Sequence, residues 1–317
     1  MPTFSFLLPA YKVQFFAEAL RSIKNQTYKE FKCLVSDDCS PEDLKSDFDK
    51  VVGNDSRFVY RRNKENMGSK SLVAHWNLLV ELCDTDYFVL ASDDDVYDPR
   101  FLEQVSKLSV KYPQVQIIRA RARNIDSQGT VLRNDSLSDE FEPQDVFLYR
   151  FWAQRISCVA NYVFQTKALK TAGNFVDFPL AWGSDTATVL NLCKNGVASP
   201  AEILFSFRLS GTNISTTEDA RTIRLKHKAY FQLYDFLVDY FLNWKPDDTP
   251  VCQYHYAEAK KSFMNLMYDL TINQWVYSPR EVFSHFRKIR KMGWVTGKIE
   301  CFYFFLTYIL QRKRYKS

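Results

Sequence analysis

Two acidic runs stand out in the first hundred residues, Asp37-Asp38 and Asp93-Asp94-Asp95. Each follows a short apolar stretch, Phe31–Ser36 and Tyr87–Ala91. Carboxylates after a strand often cap the next helix, and that reading serves either run taken alone. The triplet does not need it, because Asp98-Pro99 already offers a cap and a first-turn proline to the helix that follows. Three adjacent carboxylates repel one another, and a hard divalent cation is the usual reason to hold them together. In an extended segment Asp93 and Asp95 point the same way and Asp94 the opposite way, so spacing alone pairs Asp93 with Asp95. Few other signatures compete. The four His (75, 227, 255, 285) lack metal-ligand spacing, and His75-Trp76 sits in an apolar helical pattern that reads as packing. The chain has no Gly-x-Ser-x-Gly elbow, no P-loop and no dinucleotide Gly-x-Gly-x-x-Gly.

Both acidic runs must be held by strands. Strand candidates are Phe4–Leu8, Phe31–Ser36, Phe58–Arg61, Tyr87–Ala91 and Val115–Arg119. Helical patterns separate them: Phe15, Ala19, Ile23 and Gln26 share one face, Ser71–Leu82 forms another helix, and Phe101–Val110 follows Asp98-Pro99. Ser40-Pro41-Glu42-Asp43 reads as an N-cap serine, a first-turn proline and an acid in the first turn. This alternation predicts an α/β fold, a mostly parallel sheet flanked by helices, with ligands bound outside the carboxyl ends of its strands. Further on, Asn124–Glu142 reads as a polar loop and Val146–Gln154 as a helix. Cys158–Phe164 reads as a strand, Thr166–Ala172 as a helix stopped by Gly173, and Leu204–Arg208 as a last strand. Arg119, Arg121 and Arg123 alternate as on a solvated strand edge. After Thr217 the spacing is helical throughout. One apolar stripe runs through Ile223, Tyr230, Leu233, Leu237, Tyr240 and Phe241, and another through Ala259, Phe263, Leu266, Met267 and Leu270. The expected division is residues 1–217, in halves 1–120 and 121–217, followed by a helical C-terminal region, 218–317.

Five pieces, in order and at fitting spacings, carry a family resemblance. Leu8-Pro9-Ala10-Tyr11 ends the first strand, and Ser22-Ile23-Lys24-Asn25-Gln26-Thr27-Tyr28 closes the first helix. Ser36-Asp37-Asp38-Cys39-Ser40, Asn66-Met67-Gly68 and Ser92-Asp93-Asp94-Asp95 follow. Residues 1–120 thereby resemble the nucleotide-binding half of family-2 glycosyltransferases of the GT-A, Rossmann-like fold. Gly173-Asn174-Phe175, Gly183-Ser184-Asp185 and Arg208 extend the likeness less sharply to about residue 215. The resemblance implies that Pro9, Ala10 and Tyr11 line a base pocket, that Asp38 bonds the base edge and that Asp93 holds the ribose hydroxyls. It implies Asp94 as the ligand of Mg²⁺ or Mn²⁺ on the two phosphates, with Asp95 as a second ligand. Lys70, two residues past Gly68, stands where it would add positive charge near the diphosphate, or else faces solvent from its helix. Asp185 would be the catalytic base that takes the proton of the attacking hydroxyl, and a single displacement with one base implies inversion. Two departures mark the chain: Ala91 replaces the first acid of the family's acid-x-acid motif, and Ser184 replaces a second acid beside Asp185.

By the same resemblance the donor is a nucleotide-sugar, a UDP-sugar being the expectation. The acceptor would be a glycan, as on a lipid carrier in bacterial surface-polysaccharide assembly, and no nucleic acid is involved. Two rivals remain. A sugar nucleotidyltransferase would begin with a glycine-rich, arginine-containing loop, which is missing between Leu8 and Phe15. A catalytically silent, glycan-binding or scaffolding subunit would keep the fold without turnover. Bulk properties agree with a folded enzyme. Hydrophobic residues make up 46% and charged residues 25% of 317, enough for a sizeable core. Seven cysteines without a Cys-x-x-Cys pair argue for a reducing compartment, and the first residues read as a strand and not a signal peptide, so a cytoplasmic site is expected. Of the net charge of +5, residues 280–317 carry +8, from ten Lys/Arg against two acids, leaving −3 for the rest. The uncharged run Cys301–Leu310, flanked by Lys298 and Arg312-Lys313-Arg314, is too short to span a bilayer. It reads either as an interfacial helix on the inner membrane or as a helix docked on its own domain.

Overall fold

The first strand, β1 (Phe4–Ala10), is buried almost throughout because both of its faces are covered. Phe4, Phe6, Leu8 and Ala10 enter the apolar cluster on one side, and Leu7 enters the cluster on the other. The structure is a computed structural model that describes residues 1–151, 155–211, 219–265, 276–291, 305–306 and 308–310. After β1 come α1 (Phe16–Lys24), β2 (Phe31–Asp37), α2 (Leu44–Val52), β3 (Phe58–Arg62), α3 (Leu72–Glu81) and β4 (Tyr87–Leu90). They are followed by β5 (Val96–Tyr97), α4 (Phe101–Lys111), β6 (Ile117–Arg119), β7 (Arg121–Ile125), β8 (Val131–Asn134) and β9 (Phe141–Glu142). Next are α5 (Gln144–Arg150), β10 (Tyr162–Gln165), α6 (Thr166–Thr171), α7 (Ser184–Leu192), β11 (Val197–Ala198) and β12 (Ile203–Arg208). The C-terminal helices are α8 (Ala220–Asn243), α9 (Pro250–Asn265) and α10 (Pro279–Lys291).

Eight strands form one sheet in the order β3-β2-β1-β4-β10-β6-β11-β9, and β5-β12-β7-β8 form a second. The run β3-β2-β1-β4 is parallel, whereas β10 is antiparallel to both β4 and β6. The expected parallel character is thus confined mainly to the nucleotide-side half. One face of the large sheet packs on α1, α2 and α4. The other packs on α3, α5 and α7, and α8 adds Ala229, Leu233, Leu237 and Phe241 to that same cluster. Buried Gln26 ties α1 to α4: its amide donates to the Asp98 carbonyl at 2.9 Å and its oxygen accepts the Leu102 N–H at 2.9 Å.

Several local readings change. The cap of α2 is Asp43, which accepts the Ser46 N–H at 3.1 Å; Ser40 instead donates to the Tyr11 carbonyl at 2.6 Å. The polar stretch Asn124–Glu142 is not all loop, since β8 pairs with β7 and β9 with β11. Within Cys158–Phe164 only the end is strand, a short 3-10 turn, Val159–Asn161, preceding it. Arg119 and Arg121 do not lie on a solvated edge. Arg119 is fully buried against Asp135, and Arg121 donates to the carbonyls of Ser136 and Asp135. Residues 152–154 of the expected Val146–Gln154 helix, the boundary residue Thr217, the stripe residues Leu266, Met267 and Leu270, and most of the 298–317 tail lie outside the described residues. Among the described residues no helix is long and apolar enough to cross a membrane, and the six described cysteines are unpaired.

Candidate active site

In the order β3-β2-β1-β4 the chain direction of progress reverses between β1 and β4, and a crevice opens beyond their carboxyl ends. Pro9, Ala10, Tyr11 and Lys12 reach it from β1, Asp93 and Asp94 from the end of β4, and Asp38 from the end of β2. With His75 and Trp76 of α3 they line a cavity of about 560 Å³. Tyr11 stands 42% exposed at its rim, a ring available for stacking.

The acidic triplet follows β4 in a bend, not an extended segment, so the alternation that paired Asp93 with Asp95 does not apply. Asp93 and Asp94 face the cavity and Asp95 does not. Asp93 Oδ2 accepts the backbone N–H groups of Tyr11 and Lys12, each at 2.8 Å, which locks the β1 end to the β4 end. Burial pushes the Asp93 carboxyl above the usual carboxylate range, while the Lys12 charge pulls the other way. Asp95 is completely buried and accepts the Arg208 N–H at 2.9 Å. Burial first, and the neighbouring Asp94 charge second, hold its carboxyl well above the ordinary value. Arg208, the last residue of β12, organises this region. Its Nε donates to the Asp94 carbonyl at 2.9 Å, its guanidinium meets Glu18 at 2.8 Å, and it lies 4.4 Å from the Phe15 ring centroid.

A cation is already present in chemical form. The Lys12 ammonium sits 2.9 Å from Asp94 Oδ2 and 3.7 Å from Asp93 Oδ1. Burial lowers the Lys12 pKa, but Asp93 and Asp94 outweigh it and leave the ammonium above its ordinary value. Among the described residues no three His, Cys, Asp or Glu converge on one point. The cavity-facing pair still fits Mg²⁺ or Mn²⁺, which take one or two carboxylates and complete their shell with phosphate oxygens and water.

Asp38 is held tightly. Its carboxylate accepts the Asn63 amide and the Met67 N–H at 2.8 Å and the Gly68 N–H at 2.7 Å, so it folds the 66–68 turn against β2. Of its roughly four lone-pair directions, one is left for a ligand. A Cβ on Gly68 would come within 3.0 Å of Asp38 Oδ2, which explains the glycine. His75 is buried, bonded to Ser36 Oγ at 2.9 Å, and its pKa is lowered chiefly by burial. Lys70 is elsewhere. It pairs with Glu65 at 2.7 Å on the surface and lines a neighbouring cavity of about 790 Å³, which shares Gly68, Ser69, Leu72 and Leu180 with the first.

Asp185 lies in the first turn of α7, partly buried, accepting the Thr186 N–H at 2.8 Å. Burial pushes its carboxyl up to about 6. It is not among the residues lining the 560 Å³ cavity. Cys158 connects the two places electrostatically, its thiol pushed well up by burial and then by the charges of Asp95 and Asp185. The turn leading to Asp185 is strained, with Leu180 and Ala181 at φ 60° and 55° and Gly183 at φ 80°. Left-handed backbone at a leucine costs about 1–3 kcal/mol and is typical of ligand-facing turns. Leu180 lines both cavities.

Of the residues expected from sequence, the structure brings Pro9, Ala10, Tyr11, Asp38, Asp93 and Asp94 into one cavity. It puts Lys70, Asp95 and Asp185 outside that lining. Lys12, His75 and Trp76 belong to the lining but not to the expected set. The available signal for Lys12 was a cation directly after Pro9-Ala10-Tyr11 at the end of a strand, opposite an acidic triplet.

A family model described as Glycosyl transferase family 2 matches residues 5–169, just over half of the chain. Among solved structures, S. aureus TarS 1-349 in complex with UDP-GlcNAc is similar, with a TM-score of 0.65 at 15% identity over 92% of this chain and 78% of that one. The mannosyltransferase PcManGT from Pyrobaculum calidifontis, in complex with GDP-Man and Mn²⁺, is similar with a TM-score of 0.54 at 12% identity. That match covers 100% of this chain and 88% of the other. At these identities the two structures support a shared GT-A fold.

Proposed function

The chain belongs to glycosyl transferase family 2, and on that premise we propose that it transfers a sugar, with inversion and with the help of a divalent cation, from a nucleotide-sugar to a glycan. The observation that carries this reading is the single cavity at the β1–β4 crevice, which joins an exposed aromatic rim at Tyr11 to the carboxylates of Asp93 and Asp94. Pro9, Ala10 and Tyr11 would flank the base, Asp38 would accept a base N–H with its remaining lone pair, and Asp93 would hold the ribose hydroxyls. Asp94 would hold Mg²⁺ or Mn²⁺, which when bound supplies Lewis-acid stabilisation to the departing diphosphate. Asp95, buried against Arg208, would set the shape of the bend and not coordinate. Asp185 would accept the proton of the acceptor hydroxyl, and one base acting in a single displacement would invert the anomeric centre. The larger neighbouring cavity, opening at Gly68 and Leu180, gives the acceptor a route to the donor. The two similar structures, one in complex with UDP-GlcNAc and one with GDP-Man and Mn²⁺, support a nucleotide-sugar donor with a metal and leave UDP-sugar as the first choice.

We propose bacterial surface-polysaccharide synthesis as the setting, in the cytoplasm at the inner membrane; this rests on analogy with the family, and the +8 charge of residues 280–317 supports contact with an anionic membrane surface. A silent glycan-binding subunit is the second reading, favoured by the absence of Asp185 from the cavity lining. Donor hydrolysis decides between them. Slow, Mn²⁺-stimulated release of nucleoside diphosphate from a UDP-sugar or GDP-sugar panel is expected, whereas nucleotide binding without any release supports the silent subunit.

A further inference from the structure

Lys12 lies in the cavity against Asp93 and Asp94, the carboxylates that the proposed reading gives to the donor and its metal. Its ammonium contacts Asp94 Oδ2 at 2.9 Å, and its backbone N–H is bonded to Asp93 Oδ2 at 2.8 Å. The root of the side chain is therefore fixed to the site, while a flexible four-carbon stem carries the charge. That side chain is 37% exposed, whereas those of Asp93 and Asp94 are 8% and 7% exposed. The arrangement thus places a part-exposed cation on a flexible stem against two shielded anions. Without it, two neighbouring shielded carboxylates would repel one another with no ammonium against them.

We propose that Lys12 is a built-in counter-cation that governs when metal enters. In the donor-free protein its ammonium takes the cation's place at Asp94 and opposes loading of metal alone. When a nucleoside diphosphate arrives, its oxygens offer the ammonium a new partner. Lys12 swings onto a phosphate and Asp94 is released to the metal. Metal and nucleotide then bind with positive coupling, each raising the affinity of the other by the same factor. The proposal rests on the metal-diphosphate reading of the cavity but adds an order of events to it. It also separates two roles that a purely structural lysine would not combine: competition with metal, and attraction of phosphate.

The test measures binding, not turnover. Mn²⁺ affinity is determined by calorimetry for the wild type, Lys12→Met and Lys12→Arg, without nucleotide and with saturating UDP or GDP. Removing a competing charge from a shielded carboxylate pair should tighten nucleotide-free Mn²⁺ binding about tenfold in Lys12→Met. The same variant should bind metal-free UDP or GDP several-fold more weakly, and its metal–nucleotide coupling should shrink. Lys12→Arg, which keeps the charge, should resemble the wild type. Mn²⁺ should also raise the melting temperature of Lys12→Met more than that of the wild type, and Lys12→Gln serves the same comparison if the methionine variant is unstable. Unchanged or weaker nucleotide-free Mn²⁺ binding in both neutral variants would overturn the proposal. Failure of the wild type to bind UDP or GDP, with or without Mn²⁺, would overturn the donor reading instead, and the Mn²⁺-only comparison would still decide whether Lys12 competes at Asp94.

Discussion

Replacing Asp185 by Asn should make the protein more stable and less active at the same time. Burial raises the Asp185 carboxyl from 3.8 to about 6. Below pH 3.8 the group is protonated in both folded and unfolded chains, so it costs nothing. As pH rises the unfolded chain releases its proton first, and above pH 6 the full cost of holding a buried anion is present. At 1.36 kcal/mol per pH unit that cost approaches about 3 kcal/mol. Asn can still accept the Thr186 N–H, but it gives up the attraction of the α7 N-terminus for an anion, about 0.3–1 kcal/mol. A net gain of about 2 kcal/mol is therefore expected at pH 7.5, or about 3 °C in melting temperature, fading to nothing near pH 4. Urea unfolding of both proteins at pH 4, 5, 6 and 7.5 measures it. Donor turnover in the variant should fall by roughly 10²–10⁴, and the wild-type rate should rise with pH through about 6 as the base ionises. Equal stability of the two proteins at every pH would refute the buried-anion argument, and near-full turnover in the variant would remove Asp185 as the base.

Asp94→Asn should lower Mn²⁺-dependent UDP or GDP affinity by about tenfold or more, whereas Asp95→Asn should leave it within about threefold, as read by calorimetry; the reverse order would restore Asp95 as the principal ligand. Arg208→Met leaves the buried Asp94 carbonyl without its donor and half-exposed Glu18 without its partner, and should cost about 1–3 kcal/mol in urea unfolding. Arg208→Lys should not restore the loss, because one ammonium cannot reproduce the guanidinium fork, and full rescue by lysine would count against this account. Gly68→Ala drives a Cβ to 3.0 Å from Asp38 Oδ2 and should weaken nucleotide binding about tenfold in a titration while moving the melting temperature little. Deleting residues 298–317 should abolish co-sedimentation with vesicles containing anionic lipid, and unchanged pelleting would exclude the tail as the anchor.

The elements around the crevice were legible because their signals are local. Buried parallel strands read as unbroken apolar runs, and Asp38, Asp93 and Asp94 stand directly after two of them, so strand ends alone predicted where they meet. The second half was harder for a physical reason. Strands β8, β9 and β11 have four, two and two residues, too short for an alternation to register, and β10 runs antiparallel against strands distant in sequence. Arg119 and Arg121 looked like a solvated edge because sequence shows their charge but not the Asp135 carboxylate and the carbonyls that accept them inside the fold.

The acidic triplet shows where local reading stops. Adjacent aspartates have the same intrinsic chemistry, and their spacing suggested a pairing that only an extended backbone would give. Two cations from far along the chain divide them instead. Arg208, more than a hundred residues away, claims the Asp95 side of the bend through its own N–H and anchors the Asp94 carbonyl with Nε. Lys12 faces Asp93 and Asp94 from the opposite wall of the crevice. The bend is held on one side by a buried guanidinium and on the other by a part-exposed ammonium, so the Lys12 side is where, on the proposed reading, a cation would exchange. On the proposed reading, that asymmetry would let the chain dispense with an acid at Ala91. Asp93 is committed to the Tyr11 and Lys12 N–H groups, so on the proposed reading Asp94 would be the carboxylate that exchanges its cation, and further metal ligands would arrive with the diphosphate.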